Sequence, residues 1–179
     1  MLTTENSLTL VIDFQERMMP SIHDHKELLR KASVFVEGSG ILGVPILTTQ
    51  QYTRGLGETV PQLSSAIGDF EPIEKLSFSC FGCDEFEAKL KESGRTNIFI
   101  TGVESHICVQ QTVLHLLERN YAVYVLADCV GSRFENDKHY ALRRMEKAGA
   151  VITTAESALF EMMVRADHPG RKEISNLVK

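Results

Sequence analysis

The stretch NIFITGVESHICVQQTVLHLLERNYAVYVLADCV (97–130) decides the fold of this chain. Two apolar runs of strand length, 97–103 and 122–130, flank a segment whose apolar residues have helical spacing, 105–120. Runs that are apolar at nearly every position are typical of strands buried on both faces of a parallel sheet. The stretch therefore predicts a strand–helix–strand unit of an α/β protein.

The same alternation continues on both sides of this unit. Further strands are predicted at 7–14, 44–50 and 150–154, and a weaker extended piece at 69–78. The other predicted helices cover 24–43, 59–67, 83–94, 136–149 and 155–166. This order predicts a three-layer α/β/α sandwich around a central, mostly parallel, Rossmann-like sheet of about six strands.

The composition is that of an ordinary globular domain. Of the 179 residues, 43% are hydrophobic and 24% are charged. We find no linker or repeat, so residues 1–179 are expected to form one domain, with 170–179 as a short, partly ordered tail. The four cysteines are expected to be free thiols, as in a reducing compartment.

Charge and hydropathy also limit the partners. A net charge of −5 without basic runs disfavours nucleic acid as the partner. The N-terminal residues lack the pattern of a signal peptide, and no apolar run reaches the roughly 18 residues that a membrane span needs. A cytoplasmic protein without membrane contact, acting on a small molecule, is therefore expected.

Three ionisable residues lie at or near the predicted ends of apolar runs. Asp13 closes TLVIDF, Lys75 lies in PIEKLSFSCF, and Cys108 follows IFITGVESHI. Ligands of open α/β sheets bind at the carboxyl ends of the strands. A helix N-terminus and an ammonium group lower the pKa of a nearby thiol, and a carboxylate can take its proton. The three residues thus fit a nucleophile, a base and an electrostatic partner, although each alone also fits a structural role.

Three segments carry a resemblance to a known family. LVIDFQ (10–15), EKLSFSCF (74–81) and TGVESHICVQQT (101–112) resemble, in this order, the motifs of isochorismatase-like cysteine hydrolases. That family includes nicotinamidases, N-carbamoylsarcosine amidases and isochorismatases. The resemblance runs from about Leu8 to Ala166, and TTQQYTRGLGETVPQL (48–63) looks most like the isochorismatase-domain branch.

The resemblance implies roles for individual residues. Asp13 would be the general base, Cys108 the nucleophile, and Lys75 the group that lowers the pKa of the thiol. A cis peptide bond is implied between Val103 and Glu104, with the backbone N–H groups of Glu104 and Cys108 forming an oxyanion hole. The side chain of Glu104 has no assigned role. A homo-oligomer, from dimer to octamer, is also implied.

One departure from the family concerns metal. Metal-binding nicotinamidases carry Asp-x-His after the second strand, where this chain has Gln50 and Tyr52. Amide and phenol groups are poor ligands for divalent metals, so we expect no metal and no other cofactor. Instead, six residues are expected to line a small, partly apolar substrate pocket: Phe14, Gln15, Gln50, Tyr52, Phe78 and Phe81.

The resulting hypothesis is a metal-independent cysteine hydrolase that acts on a small amide, or a related small molecule, through a thioester. Three alternatives stay open. The site could hydrolyse a vinyl ether, as true isochorismatases do, or the chain could be a non-catalytic binding or scaffold protein. A redox protein would instead use the C-x-x-C pair Cys80 and Cys83.

Overall fold

A six-stranded parallel sheet in the order β3-β2-β1-β4-β5-β6 forms the centre of the molecule. The structure, a computed structural model, describes residues 2–68 and 70–179; Met1 and Asp69, where the predicted extended piece begins, lie outside the described residues. The strands are β1 (Ser7–Ile12), β2 (Ile46–Gln51), β3 (Ile73–Lys75), β4 (Asn97–Val103), β5 (Ala122–Gly131) and β6 (Val151–Thr153).

Helices cover both faces of this sheet, which confirms the predicted three-layer α/β fold. Their bounds are α1 (His25–Ile41), α2 (Thr53–Leu56), α3 (Pro61–Ser64), α4 (Asp84–Glu92), α5 (Gln110–Glu118), α6 (Glu135–Ala148), α7 (Ala155–Met163) and α8 (Arg171–Leu177). One hydrophobic cluster contains side chains of α1, α3, α7 and α8, and a second contains side chains of α4, α5 and α6. None of the helices in the described ranges has the length and hydropathy that a membrane span requires.

The central strands are apolar at almost every position because each contributes to both clusters. In β4, Ile98 and Ile100 pack on the side of α4–α6, whereas Phe99 packs on the side of α1. Successive strand side chains point to opposite faces, so a sheet covered twice needs apolar residues at odd and even positions alike. This is why the continuous apolar runs predict the fold correctly.

Gly102 allows β1 and β4 to approach each other at their carboxyl ends. A Cβ atom at this position would stand 2.6 Å from the Ile12 Cβ atom and 2.6 Å from the Ile12 carbonyl oxygen. The φ angle of 153° also lies in a range that favours glycine. The close approach brings the segment after β1 alongside the segment after β4.

The C-terminal residues form a docked helix rather than the expected partly ordered tail. Within α8, Ile174 is fully buried and joins the cluster of α1 and α7. Gly38 of α1 leaves the necessary room, since a Cβ atom there would lie 3.3 Å from Ile174 Cδ1. The tail prediction was wrong because one apolar anchor in a polar segment gives too weak a periodic signal.

Ile174→Ala should lower the free energy of unfolding by about 2–5 kcal/mol, because the substitution leaves a cavity between α1, α7 and α8. Urea denaturation would measure the change. Lys172→Ala is the matched control, since Lys172 is exposed on the same helix. Equal stability of the two variants would contradict the docking of α8 on the core.

Candidate active site

Asp13 presents its carboxylate directly after β1. The residue is fully buried, and its φ angle of 56° lies in the left-handed region, which aspartate tolerates better than most residues. Its backbone N–H donates to the carbonyl oxygen of Thr49, while its Oδ1 accepts a hydrogen bond from Thr49 Oγ1 at 2.8 Å. The backbone and side chain of Thr49, in β2, therefore both hold Asp13.

Lys75, the last residue of β3, reaches Asp13 across β2. Its Nζ lies 2.6 Å from Asp13 Oδ2, and both side chains are completely shielded from solvent. The other acceptors around Nζ are Oε1 of Gln51 at 2.8 Å and the carbonyl oxygens of Ser77 at 3.2 Å and Phe78 at 3.1 Å. The three protons of the ammonium group are thus directed at acceptors of the protein itself.

The charge of Lys75 is maintained although the group is buried. Burial by itself lowers the pKa of the ammonium group, but the opposing contributions, of which the attraction of the Asp13 carboxylate is the largest, outweigh burial. The net result is a raised pKa of Lys75. A full positive charge therefore stands next to the carboxylate at neutral pH.

Cys108 lies in a single π-helical turn, Ser105–Val109, between β4 and α5, where the sequence predicts a plain helix over 105–120. Only 4% of its surface is exposed. Burial and then the charge of Asp13 raise the pKa of the Cys108 thiol, while Lys75 acts in the opposite direction. Lys75 lowers the pKa of the thiol, in the direction that the resemblance implies, but burial and the Asp13 carboxylate outweigh its effect.

A second thiol, Cys80, lies close to the same groups. Its Sγ is 3.9 Å from Thr49 Oγ1, and its backbone N–H donates to Thr112 Oγ1, which itself donates to the carbonyl oxygen of Cys108. Burial raises the pKa of Cys80 to about 12. Cys83 is also a free thiol, and its Sγ faces the carbonyl oxygen of Glu74 instead. These separate contacts give no support to the redox alternative.

The end of β4 is joined to the segment after β5 through Glu104. The peptide bond between Val103 and Glu104 is cis. The buried Glu104 carboxylate accepts hydrogen bonds from the backbone N–H of Arg133 at 2.9 Å and from Arg133 Nε at 3.1 Å. Glu104, whose side chain had no role assigned from the sequence, therefore ties the segment before Cys108 to the segment that follows β5.

A comparison with protein families adds to this geometry. The family model described as Isochorismatase domain matches residues 7–157, a range that contains Asp13, Lys75 and Cys108. The chain belongs to the isochorismatase domain family. The resemblance read from the three sequence motifs is thereby confirmed.

Individual relatives of this isochorismatase domain are known. Isochorismatase domain-containing protein 1 of Danio rerio is 36% identical over 179 residues, which cover 99% of this chain but only 62% of the relative's length. The structure of MAR1 Ribonuclease from Caenorhabditis elegans superimposes with a TM-score of 0.93 at 36% identity, covering 99% of this chain and 91% of that one.

A more distant structure shares the fold alone. The YcaC gene product from Escherichia coli, described as an octameric hydrolase of unknown specificity, has a TM-score of 0.88 at 21% identity. The superposition covers 99% of this chain and 94% of that chain.

The positions at which nicotinamidases carry metal ligands are occupied differently in this isochorismatase domain. Gln50 Nε2 is buried and donates to Glu58 Oε2 and Thr59 Oγ1. Tyr52 is half exposed. In the part of the chain that the structure describes, no group of three or more His, Cys, Asp or Glu residues could hold a metal ion.

The six residues expected to line the substrate pocket are in different environments. Tyr52 and Phe78 are 49% and 55% exposed. Phe14 is fully buried within the hydrophobic cluster that contains α1. Gln15 is also fully buried, and its side-chain amide binds backbone groups. The side-chain amide of Gln50 binds other side chains, as described above. The last of the six, Phe81, packs edge-on against Phe86. Phe14 follows the buried strand into the core, so its side chain has no solvent-facing surface with which to line an open pocket.

Two residues that contact the ionic groups were missed by the sequence reasoning, namely Thr49 and Gln51. Both lie in β2, between the strands that carry Asp13 and Lys75. A signal was present, because polar side chains at the carboxyl end of an otherwise buried strand require partners. Their distances from Asp13 and Lys75 could not be read from the sequence.

Asp13→Asn should lower the pKa of Cys108, because the substitution removes a negative charge that raises this pKa while Lys75 stays positive. Alkylation of Cys108 by iodoacetamide at a fixed pH near 8 should become about tenfold faster or more, since each pKa unit changes the thiolate fraction about tenfold. Peptide-resolved mass spectrometry would measure the rate.

Asp84→Asn provides the control, since Asp84 is exposed at the start of α4. Lys75→Met should have the opposite effect and slow the alkylation of Cys108. If Asp13→Asn alkylates no faster than the wild type, Asp13 does not control the charge of the thiol.

Proposed function

We propose that this chain is a metal-independent cysteine hydrolase of small amides or related small molecules, with Asp13, Lys75 and Cys108 as its catalytic residues. The observation that carries the proposal is the 2.6 Å contact between two fully buried charges beside a buried thiol whose pKa depends on both. Burying an ion pair is costly, and perturbed ionisable groups cluster at functional sites.

The raised pKa of Cys108 shapes the first step. At neutral pH the thiol is protonated in the free protein, so proton transfer to the Asp13 carboxylate accompanies attack on the substrate. The sulfur bonds to the carbonyl carbon, and the carbonyl π electrons move to the oxygen. In the proposal, the backbone N–H groups of Glu104 and Cys108 stabilise that oxyanion, and Lys75 stabilises the anionic sulfur as it forms.

The second half of the reaction returns the protons. The oxyanion collapses, the C–N bond breaks, and Asp13 gives its proton to the leaving amine. The resulting thioester is attacked by a water molecule whose proton passes to Asp13. Expulsion of the Cys108 sulfur, reprotonated by Asp13, releases the carboxylic acid and restores the starting state. No step requires a metal ion. This agrees with the amide of Gln50 and the phenol of Tyr52, which stand where metal-binding nicotinamidases carry their Asp and His ligands.

The surroundings of the thiol favour small substrates. Only 4% of Cys108 is exposed, and Leu76 and Phe78, which follow Lys75 in the chain, expose apolar side chains, 76% and 55% respectively. A group that reaches the sulfur must be narrow. The 36% identity to a protein named MAR1 Ribonuclease makes ribonuclease activity a second candidate, which a net charge of −5 disfavours.

Cys108→Ala should abolish amide turnover, with a loss of at least about 1,000-fold, because removal of a nucleophile eliminates the covalent pathway. A panel of short aliphatic and aromatic primary amides, assayed by ammonia release, is the test. Cys83→Ala removes a partly exposed thiol outside the site and serves as the control. Acid quenching followed by peptide mass spectrometry should find the acyl group on Cys108.

The same assay, together with parallel assays on a vinyl ether, on RNA and after EDTA treatment, separates the proposal from its alternatives. Full turnover by Cys108→Ala would contradict the thioester route, and vinyl-ether hydrolysis without an acyl-enzyme would favour the isochorismatase reaction. Loss of amide turnover after treatment with EDTA would contradict metal independence. Cleavage of RNA in place of amides would favour the ribonuclease, and no turnover of any substrate would favour a binding or scaffold protein.

We infer in addition that the chain forms a homo-oligomer. Leu76 and Phe78 expose large apolar surfaces next to Lys75, and association between copies would remove them from water. The octameric YcaC gene product shows that the fold is compatible with such assembly. Light scattering after size-exclusion chromatography would test the inference, and the mass of a single chain at micromolar concentration would contradict it.

A further inference from the structure

Gln51 has both ends of its side-chain amide bound beside Lys75. It is the last residue of β2 and lies opposite Lys75 in the register with β3. Its Oε1 accepts a hydrogen bond from Lys75 Nζ at 2.8 Å, and its Nε2 donates to the carbonyl oxygen of Leu76 at 2.8 Å. Because the carbonyl of Leu76 can only accept, the amide is oriented with its oxygen towards the ammonium group.

The backbone of Gln51 is fixed by a second glutamine. Gln15 is fully buried, and its Oε1 accepts a hydrogen bond from the N–H of Gln51 at 2.7 Å. Its Nε2 donates to the carbonyl oxygens of Gln51 at 3.0 Å and Gly57 at 2.7 Å. The main chain and the side chain of Gln51 are therefore held by different partners.

We propose that Gln51 is a positioning residue, which holds the ammonium group of Lys75 in contact with Asp13. This inference rests on the function proposed above, because it assigns a role within the same site. The carbonyl oxygens of Ser77 and Phe78 also accept from Nζ, but both lie in the loop after β3. Gln51 is the side chain that directs Nζ from β2, the strand between those of Lys75 and Asp13.

A neutral acceptor suits this position better than a charged one. An amide oxygen orients the ammonium group without competing with Asp13 for its charge. A carboxylate at the same place would attract the ammonium group as strongly as Asp13 does and would add negative charge near Cys108. An apolar side chain of equal length would remove the acceptor for Lys75 Nζ and the hydrogen bond to the carbonyl oxygen of Leu76.

The test compares Gln51→Glu, Gln51→Met and wild type by the pH dependence of Cys108 alkylation with iodoacetamide, resolved by peptide mass spectrometry. The Gln51→Glu profile should move to higher pH, with a rate at fixed pH about tenfold lower, because one pKa unit changes the thiolate fraction about tenfold. Gln51→Met should move the profile in the same direction by a smaller factor.

Gln111→Glu is the matched control, because Gln111 is exposed on α5 near Cys108 and the substitution adds the same charge. Its profile should coincide with that of the wild type. Cys80 and Cys129 are fully buried and should stay unalkylated in every variant, which reports in the same sample that the fold is intact.

The outcomes separate this proposal from the hydrolase proposal. If the profiles of both Gln51 variants coincide with the wild type while Lys75→Met shifts, the positioning role of Gln51 is overturned, whatever the amide panel shows. If the Gln51 profiles shift as expected but no amide is hydrolysed, the positioning role is supported and the hydrolase function fails.

Discussion

The contact between the Lys75 ammonium group and the Asp13 carboxylate is the constraint on which the rest of the site depends. Both side chains are fully excluded from solvent. Removing two charges from water costs several kcal/mol for each ion, and a single contact rarely compensates for this cost. The additional hydrogen bonds from Thr49 to the carboxylate, and from the ammonium group to Gln51 and two backbone carbonyls, are therefore required.

These hydrogen bonds connect the carboxyl ends of three adjacent strands. Asp13 follows β1, Gln51 ends β2 and Lys75 ends β3. On the other side of β1, the close approach at Gly102 brings the end of β4 and the turn with Cys108 into the same region. The parallel sheet thus supplies a rigid base for groups that lie far apart in the sequence, as active sites require.

In the proposed mechanism, the Cys108 thiol becomes reactive only when a substrate is present. Burial and Asp13 raise the pKa of Cys108, so the resting protein holds a neutral thiol next to a base and a cation. A neutral thiol is less prone to oxidation and alkylation than a thiolate, because the thiolate is the reactive form. In the proposed mechanism, the proton moves to Asp13 as the sulfur attacks, so the nucleophile is activated only when the site is occupied.

The sequence by itself determined the α/β fold and the family, and it singled out Asp13, Lys75 and Cys108 as candidates, because continuous apolar runs and local motifs follow from neighbouring residues. Only the tertiary structure decided the docking of α8, the interior position of Phe14, and the partners of Lys75. It also decided the direction in which the pKa of Cys108 moves. These properties depend on burial and on distances between atoms from different strands, which arise only when the sheet and its helices pack together.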